Sequence, residues 1–286
     1  MLPDFLCIGA QKAGTTWLHG NLIRHPDLWL PPVKEVHFFD YSLRHPSPLS
    51  RKYYNDRWRR QVARRARQRW EQRSLTGLGE DLNYFFRRRD EAWYARVFEP
   101  GRGKLCGEVT PAYSKLEAEQ VARIAALLPG ARILFLLRDP IERAWSSARM
   151  SFDRRGLDLA DEARWKSHFD TQRGRRGDYL RTLRQWRAHY PPERFFVGFF
   201  EDVEARPAEL LLRVCAFLGV RAERELLPPT LGERFNPSTA VPMPAAVERY
   251  LAGLYADDLE ALAAEFGAPV TGWLERARRA LAVGRA

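Results

Sequence analysis

A three-layer α/β sandwich, its central sheet mainly parallel and flanked by helices, is the fold that this 286-residue sequence predicts. Three observations point to it. Short apolar runs alternate with longer amphipathic stretches along most of the chain, the pattern of repeated strand and helix units. The runs are apolar at successive positions, as strands covered on both faces require. The first run ends in a glycine-bearing turn that opens straight into a helical pattern, the layout of a phosphate-binding loop.

The elements follow in order. "FLCIG" (5–9) predicts the first strand, and a helix runs from Thr15 to about Arg24, where "HPDLWLPP" ends it. "EVHFF" (35–39) predicts a second, short extended segment. Residues 50–100, rich in arginine and aromatics, predict a helical insertion. "KLCGEV" (104–109), "RILFLL" (132–137) and "RFFVGFF" (194–200) supply further strands, with helices at about 114–128, 141–152 and 178–190. "AELLLRVCAFLGV" (208–220) carries leucine, valine and phenylalanine at helical spacing. Five prolines between Leu226 and Pro244 mark a loop, and a last amphipathic helix is expected over about 245–281. No repeat or linker interrupts the series, so one domain over 1–286 is expected.

Composition narrows the class. A hydrophobic content of 45% is ample for a core. No apolar run approaches the roughly 20 residues of a membrane span, and Met1 is followed by Pro3 and Asp4, not by a leader. A soluble, cytoplasmic protein is expected. Cys7, Cys106 and Cys215 lie in apolar company without metal-ligand spacing, which predicts free, buried thiols. The net charge of +11 is concentrated between Arg57 and Arg73, where eight arginines face one glutamate, and Arg87–Arg89 add three more. Such a surface attracts anions, although a solvated helix face explains it equally well. No nucleic-acid-binding signature accompanies the charge, so no nucleic acid partner is expected.

The loop "CIGAQKAGTTWL" (7–18) has the P-loop outline, with Gly9 and Gly14 separated by four residues and followed by Thr15 and Thr16. The lysine that a nucleotidase places after the second glycine is missing, and Lys12 lies inside the loop instead. Backbone N–H groups and the positive end of a helix dipole then face an anion, with Lys12 as the neutralising cation. No acidic partner for a metal is evident. A mixed phosphate–sulfate anhydride, whose transferred group carries less charge than a phosphoryl group, fits such a loop better than a nucleoside triphosphate with Mg²⁺. Further on, "FLLRDPIERAWSSA" sets Arg138 at a strand end and Ser146 in the second turn of the helix that Pro140 begins. Ligands of open α/β sheets bind at the carboxyl ends of strands, so Arg138 and the loop share a crevice. An arginine fork with a serine hydroxyl suits a second, separate phosphate.

Together these motifs resemble the sulfotransferases that use 3′-phosphoadenosine-5′-phosphosulfate. "QKAGTTWL" resembles the family's 5′-phosphosulfate loop and "RDPIERAWSS" its 3′-phosphate motif. "KEVHFFD" (34–40) and "GEVTPAY" (107–113) resemble the heparan-sulfate 3-O-sulfotransferase branch, and "FFEDVEARPAELLLRVCAFLGV" (199–220) is similar to bacterial members. The similarity spans about residues 5–245. It implies a P-loop-like fold and a donor site of Gln11, Lys12, Ala13, Gly14, Thr15, Thr16, Trp17, Arg138 and Ser146. Arg234, in the late loop "GERFNPS" (232–238), would lie near the 3′-phosphate. The resemblance further implies that Glu35 is the general base and that Lys12 stabilises the bridging oxygen, with no metal required. Lacking the Golgi enzymes' anchor, the chain resembles a soluble, bacterial-type form.

The residues themselves give a parallel reading. If 35–39 is extended, Glu35, His37 and Phe39 share one face, beside Lys34, and Asp40 orients the cluster. Glu108 and Tyr113 border the acceptor cleft or pack beneath it. Val109 stands where glycan-sulfating relatives carry a lysine, which argues against a heparan-like acceptor. The acceptor is expected to be an alcohol, such as a carbohydrate or another anionic substrate. Two other readings exist: a P-loop small-molecule kinase, against which the missing lysine counts, and a non-catalytic binder of anionic polymers.

Overall fold

The computed structural model describes residues 1–40, 48–73, 78–155, 161–172, 177–229, 231–232 and 241–282. Strand β1 (Phe5–Gly9) lies at the centre of a five-stranded sheet with β2 (Leu28–Trp29), β3 (Leu105–Val109), β4 (Arg132–Leu137) and β5 (Phe195–Phe199). The order is β2-β3-β1-β4-β5 and every pairing is parallel. The sheet is thus wholly and not merely mainly parallel. All five residues of β1 and five of the six in β4 are buried, so both faces of the sheet centre are covered, as their unbroken apolar runs require.

Helices fill the connections. Helix α1 (Thr15–Leu22) leaves β1, and α2 (Pro48–Gln72), α3 (Leu78–Phe86) and α4 (Glu91–Phe98) form the arginine-rich insertion. Helix α5 (Ala118–Leu127) is closed at its start by a capping box between Glu117 and Gln120. After β4 come α6 (Pro140–Arg155), α7 (Glu162–Gln172) and α8 (Tyr179–Arg187), and after β5 come α9 (Phe200–Ala205) and α10 (Pro207–Leu218). Two helices, α11 (Ala245–Phe266) and α12 (Val270–Ala282), occupy the region expected to hold one. Gly267, at φ 59°, and Pro269 break it, and the two helices pack against each other.

A second departure matters more for function. Residues 35–39 form no strand: Glu35 and His37 have φ of 64° and 58°, in the left-handed region. The strand beyond α1 is instead the two-residue β2 at Leu28–Trp29. The three cysteines are free and buried, as expected. A main apolar cluster surrounds β1, β4 and the C-terminal helices, while a smaller one, with Val36, Trp93, Tyr94 and Phe98, lies under the insertion. Among the described residues no helix is long and apolar enough to cross a membrane.

The chain lays β2 and β3 on one side of β1 and then crosses to place β4 and β5 on the other. The sheet's switch point therefore falls between β1 and β4, where open α/β sheets hold ligands.

Candidate active site

The loop after β1 meets the loop after β4 at this switch point. The Ala10 N–H donates to the Leu136 carbonyl at 2.6 Å, and Arg138 Nη1 donates to the Lys12 carbonyl at 3.2 Å. Gly14 is the N-cap of α1 with φ 83°, a conformation costly for any side chain. A Cβ there would also press to 3.1 Å from Val203 of α9. The first N–H groups of α1 have no intrahelical acceptor and Gly14 offers no side-chain cap, a helix start of the kind that suits an anion. Lys12 itself is half-buried with φ 74°. Arg138 stacks on the Phe200 ring at 4.3 Å, lies 3.6 Å from Glu142, and its carbonyl accepts the Tyr179 hydroxyl at 2.9 Å. Ser146 sits on α6, nearly buried, two turns along from Arg138.

Residues 34–40 form a connected polar chain. Lys34 Nζ is 3.2 Å from Glu35 Oε1, and Glu35 Oε2 is 3.0 Å from His37 Nε2. His37 Nδ1 is 3.2 Å from both Asp40 carboxylate oxygens. Burial grades along the chain: the Glu35 side chain keeps 25% of its surface, while His37 and Asp40 are below 10%. Lys34, at 21%, and Glu35 are therefore the members that a substrate can reach. Glu35 and His37 do come together, but through two left-handed residues and not through the pleat of a strand. Helix α1 borders this chain through His19. Burial, and next the charge of Lys34, push its imidazole down to about 4, against the Pro31 carbonyl and Glu35, which act the other way.

A buried carboxyl supports the loop from below. Glu108 accepts the hydroxyls of Tyr94 at 2.6 Å, Thr110 at 2.5 Å and Tyr113 at 3.0 Å, and also a backbone bond from Val36. Burial raises its pKa above the usual carboxylate value, and the four hydrogen bonds pull it back. The Tyr113 hydroxyl accepts the Phe38 N–H at 3.0 Å. Phe38 stacks on Tyr94 with ring centroids 4.3 Å apart, and Phe39 meets Tyr113 edge-on. Glu108 and Tyr113 are 1% and 0% exposed, so they hold the 34–40 loop and do not border a cleft.

The predicted residues thus fall into clear places. Gln11, Lys12, Ala13, Gly14, Thr15, Thr16 and Arg138 meet at the switch point. Trp17 is instead packed in the core, its Nε1 donating to the Leu231 carbonyl at 2.9 Å. Trp145, on α6, does the same for Val241 at 3.1 Å, so the two motif helices anchor both flanks of the late loop. Arg234 lies outside the described residues. Sequence reading missed Tyr94, Thr110 and Phe200. Tyr94 and Phe200 carry no local signal, whereas Thr110 stands two residues from Glu108 on the next turn of chain.

The chain has counterparts among known proteins. Residues 3–224 match the model of the sulfotransferase family. The chain is 26% identical over 228 residues to mouse heparan sulfate glucosamine 3-O-sulfotransferase 3B1, covering 77% of this chain and 47% of that protein. It is 28% identical over 154 residues to the membrane-associated sulfotransferase kil1 of Dictyostelium discoideum, covering 52% of this chain and 23% of the relative. The chain thus spans less than half the length of these curated relatives. A sulfotransferase crystal structure from Alicyclobacillus acidocaldarius superposes with a TM-score of 0.67 at 25% identity, covering 96% of this chain and 99% of that one. The sulfotransferase domain of the curacin biosynthetic pathway shares the fold, with a TM-score of 0.52 at 19% identity over 83% of this chain and 81% of its own. With the family model matched over well over half its length, the chain belongs to the sulfotransferase family.

Proposed function

We propose that this protein transfers a sulfuryl group from 3′-phosphoadenosine-5′-phosphosulfate to an acceptor hydroxyl, with Glu35 as general base. The observation that carries the reading is the meeting of the α1 loop and Arg138 at one switch point, with the partly exposed Glu35 carboxylate near α1. The crevice fits such a donor: Gly14 takes the left-handed turn that starts α1 close against α9, and Lys12 supplies a cation within the loop. When bound, the donor supplies an activated sulfuryl group and a leaving nucleotide. Lys12 and the first N–H groups of α1 would hold the 5′-phosphosulfate end, and Arg138 with Ser146 the 3′-phosphate.

Glu35 then takes the acceptor proton. His37 lies between two carboxylates, Nδ1 toward Asp40 and Nε2 toward Glu35 Oε2, so Asp40 holds the ring that orients Glu35. The acceptor proton goes to the Glu35 carboxylate, which Lys34 and His37 hold from both sides. A positioned base of this kind contributes ~10²–10⁴ in rate. Val109 is buried at the end of β3 and offers no cation to a sulfated glycan, so an acceptor unlike heparan sulfate is favoured.

Calorimetry without metal tests the donor class. The protein should prefer 3′,5′-bisphosphoadenosine over adenosine 5′-phosphate at least ~10-fold, since charged hydrogen bonds contribute about 1.5–3 kcal/mol each. Equal affinity for the two would refute the 3′-phosphate site. Binding of ATP with Mg²⁺ alone would point to a kinase, and binding of heparin alone to a polyanion-binding protein. Labelled donor incubated with cell extract then identifies the acceptor.

A further inference from the structure

A groove of about 790 Å³ runs between α2 and α3 and shares no lining residue with the candidate active site. On α3, Leu78, Leu82 and Phe86 follow one another at four-residue intervals and form a single stripe. They are 43%, 51% and 61% exposed, and Trp70 on the facing side of α2 is 85% exposed. The stripe is not the core-facing side of α3, because Tyr84 and Phe85 are buried in the cluster beneath. An outward apolar stripe on a helix of a globular protein marks a surface that something covers.

The surrounding charge says what kind. From Trp58 to Arg89 the sequence holds ten arginines and three acidic residues. Asp81 is clamped between Arg65 Nε at 3.0 Å and Arg69 Nε at 2.9 Å, and Glu71 pairs with Arg67 at 2.7 Å. Arg73, which lines the groove, and Arg59, on the same face of α2, are exposed, so the rim stays positive. A soluble polyanion would use the arginines but leave the apolar stripe uncovered. A protein interface also favours arginine and aromatic residues, but a protein partner would have to bring carboxylates to match the arginines. An anionic lipid surface matches both parts: phosphates for the arginines, and the headgroup–acyl boundary for tryptophan, leucine and phenylalanine. We propose that the α2–α3 face seats this protein on an anionic bilayer, with Trp70, Leu82 and Phe86 entering the interface and the arginines meeting lipid phosphates.

Co-sedimentation with vesicles tests this, using equal parts phosphatidylserine and phosphatidylcholine against phosphatidylcholine alone. The protein should pellet with the acidic vesicles at low salt and not with the neutral ones. The triple variant Trp70→Ser, Leu82→Ser, Phe86→Ser should lower the partition at least ~10-fold, since each buried side chain contributes substantially. Its melting temperature should stay unchanged, because all three side chains are more than half exposed. Arg59→Glu with Arg73→Glu, a variant that leaves the stripe intact, should also weaken binding. Absence of vesicle binding, equal binding to neutral vesicles, or wild-type binding by the triple variant overturns the proposal. So does a dimer in sedimentation velocity that Phe86→Ser dissolves, which would assign the face to a second copy. Heparin binding without vesicle binding would assign it to a soluble polyanion.

Discussion

Removing one hydroxyl, in Tyr113→Phe, separates the loop that carries the proposed base from the crevice that holds the donor. The Tyr113 hydroxyl donates to Glu108 at 3.0 Å and accepts the Phe38 N–H at 3.0 Å. Its loss leaves that N–H without its partner, at about 1–3 kcal/mol. The loop has little reserve, because Glu35 and His37 sit in left-handed conformations that cost roughly 1–2 kcal/mol each. A loss of ~2 kcal/mol, if it falls on the local opening of 34–40, lowers the population of the productive loop up to ~30-fold. If it falls on the whole fold, the melting temperature drops by roughly 3 °C instead. Single-turnover transfer from labelled donor reads the first effect, and calorimetry with 3′,5′-bisphosphoadenosine reads donor binding. Turnover should fall ~10–30-fold while nucleotide affinity stays within a few-fold, since no bond of Tyr113 reaches the 10–16 loop. Wild-type turnover, or a parallel loss of nucleotide affinity, would refute the reasoning.

Glu35→Gln keeps shape but not basicity, so turnover should fall ~10²-fold or more with nucleotide affinity nearly intact; joint loss of both would make Glu35 a structural partner and move the base to His37. Lys12→Ala should sharply reduce transfer with little change in melting temperature, because alanine tolerates the φ of 74° no worse than lysine does; full activity would remove Lys12 from the mechanism. Asp139→Asn probes pH dependence: burial raises the Asp139 carboxyl from 3.8 to about 6, outweighing the Ile141 N–H bond and Arg276. A raised folded-state value means that its stabilisation is complete below the unfolded value and is lost as pH rises through about 6, up to ~3 kcal/mol. Asparagine keeps the bond from Ile141 and cannot titrate, so thermal melts should show the variant gaining on the wild type between pH 3.8 and about 6. A pH-independent difference would show that Asp139 does not titrate in that window.

The central strands were legible because burial on both faces leaves a mark at every position: "FLCIG" and "RILFLL" became β1 and β4 with the expected bounds. The short β2 at Leu28–Trp29 was not, since two residues among prolines carry no period. The 35–39 segment misled for a physical reason. Val36 and Phe38 do pack inward, which imitates alternation, yet the turn between them is made by left-handed Glu35 and His37. The C-terminal break was written in the sequence as Gly267 and Pro269 and was overridden by the amphipathic pattern on either side. Local spacing placed the donor loop and Arg138 together. It could not show the Glu108 network, because Tyr94 reaches Glu108 only once α4 has folded against β3.

Arg138 explains why the two anion sites act as one unit. Its Nη1 holds the Lys12 carbonyl, its guanidinium lies on Phe200, and α9, which Phe200 begins, also closes on Gly14. Its own carbonyl is fixed by Tyr179. A guanidinium held by the Lys12 carbonyl and the Phe200 ring is preorganised, so in the proposed function a 3′-phosphate would meet it without the entropy loss of ordering a long side chain. The same bonds tie the donor loop to the end of β4, so the position of Lys12 depends on Arg138 as well as on β1. Removing Arg138 would therefore disturb both ends of the donor at once, and its effect could not be assigned to either phosphate. Among the described residues Ser146 makes no such bond to the loop, so in the proposed function its hydroxyl is the group whose loss would report on the 3′-phosphate alone.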